Sequence, residues 1–167
     1  MEAELSLEQA SDIAQVVAGV AVVISLIYVG LQMRQATAQL YRNEGNATLS
    51  QFSAHRLAIG INRDVAELWI KGLAGDGALD GPDQLRFDML LAEFTWITFH
   101  TWEREKRGMT VKGQWERGPL VGITRYLSTP GGSAWWARYG KRYPPPYAAE
   151  VDSGLASLSA RQEEAVA

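Results

Sequence analysis

The run Ile13 to Leu31 constrains this chain more than any other stretch, because its nineteen residues carry no charge and eleven of them are Val, Ile or Leu. On an insertion scale those eleven side chains contribute roughly −3 to −7 kcal/mol. Coiled as an α-helix the run is about 28 Å long, close to the thickness of a bilayer's hydrocarbon core. Buried helices of water-soluble domains seldom run this long without a charge. The stretch is therefore read as a transmembrane helix over residues 13–33.

Charge sets the expected orientation. All sixteen Lys and Arg residues lie after the run, whereas the segment 1–12 is an acidic stub with Glu2, Glu4, Glu8 and Asp12. Ser6 and Gln9 in that stub have the spacing of a helix capping pair. Arg34 and Arg42 flank the C-terminal end of the run, and basic flanks stay on the cytoplasmic side. The expectation is N-out, C-in, with a cytoplasmic soluble part. A cleaved signal peptide would need a basic leader and a small-residue cleavage site, and neither is present. The chain has no cysteine, which excludes a disulfide scaffold and a thiolate metal site.

Within the run, Ala14 and Ala18, with Gly19, Ala21 and Ser25, offer small residues that let a second helix approach closely. Leu26, Met33, Leu40, Ala47, Ala54, Ile61 and Leu68 recur every seventh residue, the spacing of one coiled-coil position. The companion positions Val29, Ala36, Asn43, Ser50 and Leu57 are apolar only at the ends. The stripe packs either on the chain's own later helices or on a second copy. Helix-packing residues are thus expected at Ala14, Ala18, Leu26, Met33 and Leu40.

Beyond the run the pattern stays helical. Gln32 to Ile61 contains no proline, and Gly60 with Asn62 marks a break. A second helix is predicted over 64–73 with Val65, Leu68, Trp69 and Leu73 inward. A third is predicted from Pro82 to Arg107, where Leu85 or Phe87, Leu90, Leu91, Phe94, Ile97 and Trp102 cover more than half the circumference. Gly113 to Leu127 predicts a fourth, interrupted at Gly118-Pro119. Thr129-Pro130 opens a fifth, which runs to Arg142 and stops at Pro144-Pro145-Pro146. From Asp152 onward the small and charged residues read as a flexible tail. No alternating run is bounded by hairpin turns. The expected fold is all-α: an N-terminal transmembrane helix continuing into a small cytoplasmic helical bundle over 34–151, with 152–167 as tail.

The order of these features resembles a group of small bacterial membrane-anchored proteins of no known activity. The resemblance rests on the acidic lead, the sequence Ile24-Ser25-Leu26-Ile27-Tyr28-Val29-Gly30-Leu31-Gln32-Met33-Arg34-Gln35, the helical middle, and Thr129-Pro130-Gly131-Gly132 before Trp135-Trp136. It implies a bacterial inner-membrane helical protein and carries over no catalytic residue.

One polar constellation is a candidate for chemistry. Glu93, Trp96, His100 and Glu103 follow at spacings of three, four and three, which stacks them on one helix face. A di-iron bundle would need Glu followed three residues later by His, twice and on different helices. Here the order is reversed and His55 is the only other imidazole, so neither a metal nor another cofactor is expected. General acid–base work by Glu93, His100 and Glu103 on a lipid or amphipathic substrate stays open as an alternative. A second constellation interleaves aromatics with cations: Trp135, Trp136, Arg138, Tyr139, Arg142 and Tyr143. That mixture suits either core packing of the Trp pair or the headgroup zone of membrane lipid. With a net charge of −3, a nucleic-acid partner is not expected. The leading reading is a membrane-anchored protein that acts by protein–protein interaction, with itself or with another membrane protein, and is not an enzyme.

Overall fold

A computed structural model of the chain describes residues 7–75, 77 and 79–166. Residues 1–6 of the acidic stub, and with them Ser6 of the proposed capping pair, lie outside these residues. All regular structure among the described residues is helical. The chain divides into two units, residues 1–45 and 46–167.

The first unit is the N-terminal part of α1 (Leu7–Ile61). Between residues 11 and 45 every described side chain except Ala38 and Gly45 is exposed. Two of its hydroxyls bond inward to the helix's own backbone. Ser25 Oγ donates to the Ala21 carbonyl at 2.8 Å and Thr37 Oγ1 to that of Met33 at 2.9 Å. Such back-bonding satisfies a hydroxyl without water.

The second unit starts with the last four turns of α1, which end where Asn62 leaves the helical region at φ −109°, ψ 108°. α2 (Arg63–Ala74) stops at Gly75, whose φ of 67° lets its N–H reach back to the Lys71 carbonyl, a left-handed cap that strains any side chain. α3 (Gly81–Lys106) is set by Asp80, whose carboxylate accepts from the Asp83 N–H, and by proline in its first turn. α4 (Gln114–Arg117) and α5 (Pro119–Leu127) are separated at Gly118, as the sequence predicts. α6 (Pro130–Tyr139) is capped by Thr129, whose hydroxyl accepts from the Gly132 N–H, and a single 3₁₀ turn over Gly140–Arg142 follows. α7 (Pro145–Val166) closes the chain.

α3 and α5 are the inner elements. Phe87, Leu91, Phe94 and Ile97 of α3 are buried with Ile123 and Leu127 of α5, and α5 also meets α4, α6 and α7. Of the inward residues expected on α3, Leu85 is exposed and Leu90 and Trp102 are half-buried. Their places are taken by Thr95, Thr98 and Thr101, which are buried because each hydroxyl returns to a carbonyl of the preceding turn. α6 lies against α2 and α5 so closely that a Cβ on Gly131 would collide with the Gly72 carbonyl, and one on Gly132 with that of Tyr126. The paired glycines are thus a helix-packing device as well as a helix entry.

Three sequence expectations are revised here. Residues 152–166, read as a flexible tail, form the greater part of α7. Tyr147 and Val151 are fully buried and Leu155 packs on the same cluster; their spacing of four puts one apolar row on the bundle. The proline run does not merely stop the fifth helix, because Pro145 also supplies the fixed φ that starts α7. Of the seven-residue stripe within this unit only Leu68, on α2, is buried. Ala47, Ala54 and Ile61 are exposed, and α1 docks instead through Thr48, Phe52, His55 and Ile59. Their offsets of four, three and four follow the 3.6-residue period of a single face.

Candidate functional surfaces

The apolar run leaves a long row of aliphatic side chains exposed. Ile13, Val16, Val17, Val20, Val22, Val23, Ile24, Leu26, Ile27, Val29 and Leu31 are between 48% and 67% exposed. Ala14 and Ala18 lie on the same exposed surface, as do Leu26, Met33 and Leu40. The helix is long and apolar enough to cross a bilayer, with a mean hydropathy of 2.3 over its best window.

The His100 constellation is brought together only in part. His100 Nδ1 lies 3.8 Å from Glu103 Oε2, and that carboxylate is already taken by Arg107 at 2.7 Å. The imidazole lies near the rings of Trp96 and Phe99, with centroids 6.0 and 5.4 Å away. Glu93 and His100 are both exposed. A general base needs an enclosed place for substrate. Two clefts open on this unit, of ≈ 140 Å³ beside Lys71, Gln84 and Arg138 and of ≈ 320 Å³ beside Leu120, Thr124 and Ser157. Neither is lined by Glu93, His100 or Glu103. Among the described residues no three acidic or histidine side chains converge to hold a metal ion.

The aromatic and basic residues of α6 divide between inside and outside. Trp135 is 2% exposed and Tyr143 6%. Trp136 is half-buried, stacks on Trp135 and Tyr143, and donates its indole N–H to Asp152 of α7 at 2.7 Å. Tyr139 donates to Asp88 of α3 at 3.0 Å, and the guanidinium of Arg142 sits 4.6 Å above its ring. The ring face assigned from sequence to lipid headgroups is thus turned into the bundle, because α7 supplies partners that a loose tail would not. Arg138 and Arg142 stay exposed.

Behind that face lies a buried polar ladder. Tyr147 Oη and Thr98 Oγ1 share a hydrogen bond of 2.8 Å, and Tyr147 also reaches the Thr95 carbonyl at 3.3 Å. Burial pushes both phenols up, Tyr143 to about 12 and Tyr147 further, so neither ionises near neutrality. At the far end of α3 both carboxylate oxygens of Glu105 accept backbone N–H groups, from Gly113 at 2.7 Å and Trp115 at 2.6 Å. Desolvation works upward on this carboxyl, but the two N–H donors outweigh it and hold it below the usual range.

Sequence reasoning passed over His55. It is 6% exposed, its Nε2 is buried without a hydrogen-bond partner, and its ring lies 5.2 Å from Phe94 and 5.7 Å from Trp69. The available signal was its place between Phe52 and Ile59 at helical spacing, which the seven-residue pattern obscured. Comparison with protein-family models, curated proteins and solved structures finds no match for this chain.

Proposed function

We propose that this chain is a single-pass membrane protein whose helical bundle acts by protein–protein interaction, as a self-associating unit or as an accessory subunit of a membrane complex. The observation that carries the reading is the charge-free run of α1, whose large aliphatic side chains are all about half exposed or more. Leaving that much aliphatic surface in water forgoes about 25 cal/mol for each Å² that could be covered, and a bilayer covers all of it. The internal bonding of Ser25 and Thr37 supports the same environment. Arg34 and Arg42 after the run favour a cytoplasmic bundle, and the resemblance to small bacterial anchored proteins favours the inner membrane.

Interaction is preferred to catalysis because the bundle's aromatic groups pack on one another and neither cleft described above is lined by Glu93, His100 or Glu103. Two measurements on the full-length protein test the proposal. The chain has no native cysteine, so Ala3→Cys and Ser157→Cys report topology through a membrane-impermeant maleimide. N-out, C-in expects labelling at position 3 in spheroplasts and at 157 only after lysis. Extraction in mild detergent should then give a homo-oligomer or a stoichiometric complex. A monomer with no co-purifying protein would overturn the interaction reading, and alkaline carbonate extraction of the chain into the soluble fraction would overturn the anchor.

A further inference from the structure

Residues 46–61 of α1 meet the rest of the second unit along one face. Four side chains attach them: Thr48, Phe52, His55 and Ile59. Phe52 meets Phe94 edge-on at 5.9 Å, and Arg104 Nη1 donates to Thr48 at 3.1 Å. Leu49 and Leu57, on other faces, are exposed. His55 is the most deeply buried of the four and the only ionisable one.

Its surroundings suit the neutral ring alone. Phe94 of α3 and Trp69 of α2 flank the imidazole, and Tyr126 of α5 closes the cluster, 5.0 Å from Phe94 and 5.1 Å from Trp69. The charged groups on these elements are engaged or turned to solvent. On α1, Arg56 is exposed; on α2, Asp64 pairs with Arg86 and Glu67 with Arg63, and Lys71 is exposed. On α3, Glu93 is exposed, Asp88 accepts from Gln84 and Tyr139, and Arg104 is bonded to Thr48. On α5, Arg125 is exposed. Burial is accordingly the cause that lowers the pKa of His55 below its ordinary value. An imidazolium here would hold a buried N–H with nothing to accept it, a costly state unless the group reaches water. A phenylalanine would fill the same place without an unmet nitrogen. What the histidine adds is a site for one proton.

We infer that His55 is a proton-operated latch, whose protonation releases residues 46–61 of α1 from the bundle core while α2 to α7 stay folded. The sign follows from linkage. A histidine with a depressed folded-state pKa stabilises the docked state fully above the unfolded value of about 6.5. That contribution is lost as pH falls from there toward the folded value. With one proton linked, the released population rises by up to about tenfold for each pH unit. The latch rests on contacts within the second unit and does not depend on the membrane reading.

The test is hydrogen exchange of the full chain in detergent micelles between pH 8 and 5, corrected for the intrinsic pH dependence of exchange. Protection of amides 46–61 should fall with pH, with α3 and α6 unchanged, and His55→Phe should keep the protection and abolish its pH dependence. His100→Gln should leave the transition intact. Should His55→Phe fail to fold, the imidazole resonances of His55 in the His100→Gln protein report the same step, and their titration must coincide with the loss of protection. Unchanged protection at pH 5, the same pH dependence in folded His55→Phe, or simultaneous loss from α3 and α6 would each overturn the latch.

Discussion

α1 and α3 are the two longest helices among the described residues, and their environments differ in a way that sequence alone does not reveal. The apolar run of α1 is far richer in aliphatic residues, yet its side chains are exposed, whereas α3 carries Thr95, Thr98, Thr101 and Asp88 into the core. Hydrophobicity of a segment therefore does not decide its burial; the availability of partners does. α3 has α2, α4 and α5 around it, and its hydroxyls are buried because each finds an acceptor. The run of α1 stays exposed along its length, an arrangement that an apolar solvent would favour.

The largest test of this contrast places charge in the run. Val20→Lys with Val23→Lys should cost roughly 5–7 kcal/mol of insertion free energy and move the protein from the carbonate-resistant to the extractable fraction. Unchanged fractionation would show that the run is not solvated by lipid. Next comes the same leucine truncation in the two settings. Leu91→Ala, at a fully buried site, should lower the stability of the bundle by about 2–5 kcal/mol in urea titration. Leu26→Ala should change it by less than about 0.5 kcal/mol. Equal effects would erase the distinction between the helices. The smallest test concerns the end of α3. Glu105→Gln should cost about 1 kcal/mol by weakening the bonds to Gly113 and Trp115. Because the folded-state pKa of Glu105 is depressed, its contribution is present above the ordinary carboxylate value of about 4.3 and lost as pH falls through the folded one. The variant should therefore show a shallower acid limb in a pH series of melting temperatures.

Much of the architecture was legible because it is written in local chemistry. The break at Asn62, the Asp80 and Thr129 caps, the Gly118-Pro119 interruption and the left-handed Gly75 each follow from what one or two residues permit their own backbone. α7 was not legible by that route. Its small and charged residues resemble a tail, and only the spacing of Tyr147, Val151 and Leu155 hints at a buried row. The aromatic residues of α6 looked equally suited to lipid and to a core; Asp152 and Tyr147, contributed by α7, give them inward partners. The His100 face was read as a possible site from spacing, yet the Glu103 carboxylate is shared with Arg107 and neither of the two clefts described is lined by it.

By itself the sequence determined that this chain is helical, where most helices begin and end, and that one run has no charge to keep it in water. Backbone propensity, capping and transfer free energy act over a few residues and are readable in order. The tertiary structure alone decided which face of α1 docks, that His55 is buried without a partner for Nε2, and that the last helix completes the core. Those outcomes depend on which groups meet across long stretches of chain, and no local pattern specifies the meeting.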